Sequence, residues 1–457
     1  MVMGSIPENV DVAIIGGGVG GYIAAIRAAQ LGKSVALIEK HKLGGHCLNY
    51  ACIPSKTLIH ISDIYDSIKE SSKFGISVNG LAIDAKKMYE WRVFVSKKLE
   101  QGVAFLCKSN NIDVFSAEAT FLSSNKLQLT DGIEIDFKKA IIATGSEPIS
   151  LKGFEYSDKI IDYKKALLLD YIPKNMAIIG AGYVAVEIGI MYAKLGSNVS
   201  IIARSDILSR FDPEAVAYVK KRMESLNIKI YKKSNPLSFD ANILKLDSNE
   251  NILADILVVA VGLSPYTSGL GLSNTHIKLD DKGFIITDKT MLTSDENIYA
   301  IGDVAGEPML AHKAMRQGVV AGEAASGISS SYENIVVPAV IFSDPEIAIA
   351  GRLDGDGIMT TKFPLSALGR AIALDSTNGF VKIAYTEDKI VKGVEIVSKD
   401  ANAMISEAAL AIEMGAMLED IADTIHPHPT FSESIMEAAE SALGRGIHFF
   451  DSTKVKK

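Results

Sequence analysis

At 457 residues the chain has room for roughly two to four domains with sizeable cores. Hydrophobic residues make up 48% and charged residues 22%, an ordinary globular mixture, and a net charge of −8 argues against a nucleic-acid or anionic-membrane surface. No apolar run is long enough for a membrane span, the N-terminal MVMGSIPENVDV lacks the basic-then-apolar order of a secretory signal, and three cysteines make no disulfide framework, so a cytoplasmic location is expected.

The first element is VDVAIIGGGVGGYIAAIRAAQLGKSVALIE (10–39). It reads as a strand, a glycine turn, an alanine-rich amphipathic helix and a second strand, the βαβ unit of a dinucleotide-binding fold. Gly16 permits the tight turn, Gly18 lets backbone approach a pyrophosphate at the helix N-terminus, and Gly21 holds the third motif position. Glu39 ends the unit, where an acid accepts hydrogen bonds from ribose hydroxyls.

GGHCLNYACIPSK (44–56) follows, with Cys47 and Cys52; the remaining cysteine is Cys107. A structural bridge between the two would close a very short loop worth about 2 kcal/mol, little beside a large core. A zinc site needs more ligands than His41 and His46 offer at regular spacing, so no metal is expected. Redox chemistry is the remaining reading.

IIATGSEP (141–148) is a short apolar strand ending in a glycine turn. MAIIGAGYVAVEIGIMYAKLGSNVSIIAR (176–204) then repeats the βαβ order, with Gly180, Gly182 and Ala185 at the three motif positions. Two such units, each with a strand before and a helix after, carry far more weight than one glycine motif. In register with Glu39 stands Ala203, followed by Arg204, with Arg210 nearby. A missing acid beside cations is the pattern of a site that accepts a 2′-phosphate; a surface arginine beside an unphosphorylated cofactor is the alternative.

AIGDVAG (300–306) is another strand and glycine turn, presenting N–H groups and the Asp303 carboxylate to a bound cofactor. Two nucleotide sites and a thiol pair suggest an electron relay with a flavin, a nicotinamide and the cysteines as stations. After the strands of IVVPAVIFSDPEIAIAG (335–351) comes an amphipathic helix, ANAMISEAALAIEMGAM (401–417). In TIHPHPTFSESIMEAAESALG (424–444) two His-Pro pairs hold His426 and His428 on an extended segment, and Glu433 begins the next helix.

These motifs resemble, in their order and from about residue 8 to 449, the flavin-dependent pyridine nucleotide–disulfide oxidoreductases. Within that family the chain is most similar to members that oxidise dihydrolipoyl groups. The resemblance implies an α/β fold: two Rossmann-like domains binding FAD and NAD(P), and an α+β C-terminal dimerisation domain. The expected division is 1–149 for FAD and the redox disulfide, 150–266 for NAD(P), 267–335 completing the FAD domain, and 336–457 for the dimer interface.

The resemblance also assigns roles. Cys47 is the thiol that exchanges with substrate and Cys52 the one set against the flavin. Lys56 lies near the flavin and pairs with Glu187. His428 is the acid–base, oriented by Glu433 and reaching the cysteines of the other subunit of a homodimer; His426 is structural. FAD contacts fall on Gly16, Gly18, Gly21, Glu39, Lys40, Gly45, His46, Lys56, Ala117, Thr144, Gly145, Ser146, Asp303 and the run Met309, Leu310, Ala311, His312. The nicotinamide dinucleotide is lined by Gly180, Gly182, Tyr183, Val184, Glu187, Ala203, Arg204 and Gly262. The partner is a lipoyl-bearing acyltransferase or free dihydrolipoamide.

The chain also departs from the family pattern. His46, Tyr50 and Ala51 replace the commoner Thr, Val and Gly of the redox motif. Ala185, Tyr183 and the Ala203–Arg204 pair look more like the NADP-using glutathione and mercuric reductases, so NADP is slightly favoured over NAD. GRGIHFFDSTKVKK (444–457) lacks the terminal cysteine pair of mercuric reductases. The alternatives are an NADPH-dependent reductase of a small disulfide and a non-catalytic flavoprotein; retention of Cys47, Cys52, Lys56, His428 and Glu433 opposes the second.

Overall fold

The computed structural model describes residues 9–449. Residues 1–8, read for a secretory signal, and 450–457, read for a terminal cysteine pair, lie outside the described residues. The chain forms two compact units, one of residues 9–173 with 256–333, the other of 174–255 with 334–449.

Among the described residues, the first unit is built on a seven-stranded sheet. Its strand Asn9–Ile15 lies parallel between Val35–Ile38 and Glu134–Ile142, and Ile298–Ala300 pairs in parallel with Glu134–Ile142. A strand covered on both faces reads as a continuous apolar run, which is why VAII needs no polar alternation. Val12 and Ile14 pack with Ala24, Ala25 and Ala28 of the helix Val19–Gln30, while Ala13 and Ile15 share a core with Phe121, Ile135 and Ile142.

The small residues of Val19–Gln30 admit a second helix, Ala311–Ala325, at backbone contact. A Cβ added at Gly318 would lie 2.5 Å from the Gly20 carbonyl oxygen, and one at Gly322 would lie 2.8 Å from that of Ala24. The two helices therefore run in the same direction, and both bring their positive N-terminal ends toward the first glycine turn.

In the second unit Asn198–Ala203 lies parallel between Asn175–Ile179 and Lys229–Lys232, with the helix Tyr183–Lys194 connecting the first two strands. Residues 339–398 supply a five-stranded antiparallel sheet. Helices Ala401–Glu413 and Glu433–Ala442 pack on it: Met404, Ile405 and Ala408, with Ile435, Ala438 and Ala439, share one core with Phe363, Ile383, Val394 and Ile396. No helix among the described residues is long and apolar enough to cross a membrane.

Candidate redox and acid–base site

The thiol segment folds as two successive helices, Gly45–Tyr50 and Cys52–Glu70. They are broken at Ala51 (φ −134°, ψ −92°), and the break turns Cys47 toward the start of the second helix. Cys47 and Cys52 form a disulfide with Cα atoms 4.6 Å apart. Cys52 is the first residue of its helix, where unpaired N–H groups favour a thiolate. Lys56 stands on the same helix, half-buried. The third cysteine, Cys107, is buried and unbridged; burial pushes its thiol up, so it is inert.

The first glycine turn is shaped to accept a dinucleotide. Gly16 has φ +105°, and a Cβ there would lie 2.4 Å from the Ala143 carbonyl oxygen. At Gly18 a Cβ would meet nothing within 4 Å, and the helix that follows has no side-chain cap, leaving space and donors for an anion. Gly45 packs against Gly18, so the thiol segment is anchored to this same turn. Glu39 accepts the N–H groups of Gly17 (2.8 Å) and His41 (2.7 Å). Lys40 reaches the Tyr266 hydroxyl at 2.8 Å and lies 4.1 Å from its ring centroid. Ala117 is buried in the sheet core.

On the other side, Thr144 Oγ1 donates to the Tyr266 carbonyl (2.7 Å), and Gly145 turns with φ +74°. The Ser146 hydroxyl donates to Asp303 (2.7 Å). Burial raises the Asp303 carboxyl above its ordinary range, against the pull of Ser146 and the buried Lys313. Lys313 donates to the Gly306 carbonyl and so ties Met309, Leu310, Ala311 and His312 to the Asp303 turn; the helix at Ala311 is also without a side-chain cap. Gly262, expected at the nicotinamide, belongs to the first unit, where its carbonyl accepts the Ile149 N–H at 3.1 Å.

His46 is neutral at ordinary pH: burial, helped by the nearby Lys164 cation, lowers its pKa to about 4 against a hydrogen bond to the Ser146 backbone. Its ring stacks on Tyr163 and hydrogen-bonds the Tyr163 hydroxyl. No motif pointed to Tyr163, nor to Lys313. The one signal for Lys313 was a lysine set in an otherwise apolar helix face.

The second unit carries the other expected residues. Gly182 again leaves open space over an uncapped helix, in whose first turn lie Tyr183 and Val184. Gly180 turns with φ +138°. Ala203 is buried at its strand end, offering no polar group, and Arg204 beside it is exposed. Asp206 accepts from Lys220 (2.6 Å) and Lys232 (3.1 Å), so cations surround this strand end. Glu187 is buried and accepts the Phe342 N–H at 2.9 Å.

Glu433 opens its helix and binds at both carboxylate oxygens: Oε1 is 2.8 Å from His428 Nδ1 and Oε2 accepts the Thr430 N–H at 2.7 Å. Burial works to raise its carboxyl, but Thr430 and His428 outweigh it and hold it below the usual range. The His428 side chain is 78% exposed. His426 makes its own pair, Nε2 at 2.8 Å from Glu407 and Nδ1 at 2.9 Å from the Thr424 carbonyl, which suits a structural role. The expected catalytic groups thus divide: Cys47, Cys52 and Lys56 in the first unit, Glu187, His428 and Glu433 in the second.

Comparison with known proteins decides the family. Residues 10–318 match the pyridine nucleotide–disulphide oxidoreductase family, and 337–439 match its dimerisation domain. The chain belongs to this family. It is 42% identical to the dihydrolipoyl dehydrogenase of Geobacillus stearothermophilus, over 98% of this chain and 99% of that protein. It is likewise 42% identical to that of Bacillus subtilis over the same shares, and 37% identical to dihydrolipoyl dehydrogenase 2 of Haloarcula marismortui over 98% and 100%. In fold it resembles LpdA of Mycobacterium tuberculosis (TM-score 0.88, 24% identity, 94% of this chain and 99% of that one). It also resembles the HOCl-induced flavoprotein disulfide reductase RclA of Escherichia coli (TM-score 0.85, 25%, 94% and 99%).

The resemblance read from the motifs is therefore borne out over the full length. The chain is a flavoprotein disulfide oxidoreductase of mixed α/β fold, with FAD and a nicotinamide dinucleotide as its cofactors.

Proposed function

We propose that the chain oxidises dihydrolipoyl groups to the cyclic disulfide, passing two electrons through Cys47–Cys52 and FAD to a nicotinamide dinucleotide. The observation that carries this reading is the Cys47–Cys52 bridge at a helix start, anchored by Gly45 on the first glycine turn, in a chain similar end to end to dihydrolipoyl dehydrogenases.

His428 takes a proton from one substrate thiol, and the thiolate attacks Cys47 Sγ. The Cys47–Cys52 bond breaks and Cys52 leaves as a thiolate, favoured by its place at the helix N-terminus. The second substrate thiol then attacks the mixed disulfide, releasing the oxidised ring and a reduced Cys47. Bound FAD supplies the two-electron acceptor that restores the cysteine bridge and the hydride donor to the nicotinamide. Lys56 supplies positive charge near the flavin. Glu433 keeps the imidazole in the tautomer with Nδ1–H bonded and Nε2 available.

Among site assignments, Gly16, Gly18, Gly21, Glu39, Lys40, Gly45, Thr144, Gly145, Ser146, Asp303 and 309–312 hold FAD. Gly180, Gly182, Tyr183, Val184 and Arg204 hold the second dinucleotide. The exposure of His428 supports an active site completed by a second copy of the chain in a homodimer, and a lipoyl-bearing acyltransferase as partner in the cytoplasm. Arg204 beside the side-chain-poor Ala203 supports use of NADP.

Steady-state turnover of dihydrolipoamide with NAD and with NADP tests the reading, together with the visible spectrum of the purified protein. A yellow protein that oxidises dihydrolipoamide is expected; one that reduces only small disulfides from NADPH would favour the glutathione reductase-like alternative.

A further inference from the structure

His46 directly precedes Cys47 on the short helix Gly45–Tyr50. Its ring lies 5.5 Å from that of Tyr163, with the planes 12° apart, and the Tyr163 hydroxyl meets His46 Nε2. Tyr163 is only 6% exposed. It opens the helix Tyr163–Ala166, whose start is pinned by Asp162 accepting the Lys165 N–H at 2.8 Å. On its other side the His46 ring is hydrogen-bonded to the Ser146 backbone, and the Ser146 hydroxyl is bonded to Asp303. A phenol at Nε2 and the Ser146 backbone as a second partner suit a neutral imidazole whose Nε2 accepts the Tyr163 O–H. Four residues from four separate segments are thus linked in series, and one of the two middle members, His46, adjoins a redox thiol.

We propose that Tyr163 is a positioning residue of the redox centre, acting through His46 to hold the Cys47-bearing helix in place against the Ser146–Asp303 turn. Burial and the nearby Lys164 cation keep the imidazole next to Cys47 uncharged at neutral pH, and the hydroxyl occupies the lone pair that a proton would take. Without the hydroxyl, His46 takes up a proton more readily, and an imidazolium beside Cys47 makes its thiol more acidic. The inference rests on Cys47–Cys52 being the redox pair.

The test is a thermodynamic cycle on the FAD-loaded protein, reduced with dithiothreitol, desalted and pulsed with iodoacetamide across about pH 5 to 9, with Cys47 alkylation read by mass spectrometry. Tyr163→Phe keeps the stacked ring and is expected to move the alkylation midpoint down by about half a pH unit or more, roughly a threefold rise in thiolate near neutral pH. His46→Thr, which removes the imidazole altogether, is expected to stay near the parent midpoint, and adding Tyr163→Phe to it is expected to change nothing further. Equal shifts in both backgrounds, or none in either, overturn the proposal. If dithiothreitol leaves Cys47 unalkylated at every pH in the parent protein, the redox-pair reading itself fails, an outcome distinct from a normal parent profile that ignores Tyr163.

Discussion

Glu433 orients His428 with one carboxylate oxygen, 2.8 Å from Nδ1, while its other oxygen holds the Thr430 N–H of the same turn at 2.7 Å. One side chain therefore sets both the imidazole and the backbone that presents it. His428→Ala is expected to lower dihydrolipoamide turnover by about 10²- to 10⁴-fold. A loss below about tenfold would make it a bystander.

The same pair leaves a mark on stability. Because Thr430 and His428 hold the Glu433 carboxyl below its ordinary value despite burial, its contribution is present above the usual carboxylate pKa and fades as pH falls through the lowered one. Glu433→Gln should be less stable than the parent at neutral pH and indistinguishable from it in strong acid, by thermal melts. A gap that widens in acid contradicts this.

Cys47→Ser removes the sulfur that meets substrate but leaves the dinucleotide sites untouched. Dihydrolipoamide oxidation should fall to background, while dye reduction by the nicotinamide through the flavin continues. Parallel loss of both reactions would place Cys47 in folding or flavin retention instead.

Gly16→Ala should empty the flavin site. Its Cβ would sit 2.4 Å from the Ala143 carbonyl in a backbone of φ +105° that side chains rarely adopt. The cost is about 1–3 kcal/mol for the strained φ alone, before the clash. Purified protein should carry well under one flavin per chain, measured by absorbance; a full complement refutes the tight-turn argument.

A buried charge network in the second unit should govern stability between weakly acidic and neutral pH. Glu395 is fully buried, 3.7 Å from Lys382, which also pairs with Asp212. Burial first, then the neighbouring Asp212, raise Glu395 from 4.5 to about 7 against the pull of Lys382. The folded state thus keeps a proton that the unfolded chain releases near 4.5, and stability declines as pH rises between these values. Over that window the loss is ~3 kcal/mol. Glu395→Gln should flatten the decline, measured by denaturant melts at about pH 5 and 8; an unchanged slope sinks the idea.

Arg204→Leu should lower the ratio of kcat/KM for NADP to that for NAD by about 10- to 100-fold, the worth of one charge-assisted contact. An unchanged ratio removes the phosphate from this site.

The local motifs were legible because each depends on backbone conformation within a few residues. Gly16, Gly18 and Gly180 declare turns, the Cys47–Cys52 spacing places one thiol before and one at a helix start, and the His-Pro pairs forbid helix until Glu433. Their repetition and order carried the family and the α/β architecture as well, since parallel strands buried on both faces require unbroken apolar runs such as Val12–Ile15. Long-range partnerships had no such signature. Tyr163 lies 117 positions from His46, and Glu407 lies 19 before His426. Lys313 and Glu395 look like surface charges in the sequence. Packing buries them, and burial is a property of the neighbours a side chain acquires; that is why only the tertiary structure decided which imidazole stays neutral and which carboxyl keeps its proton.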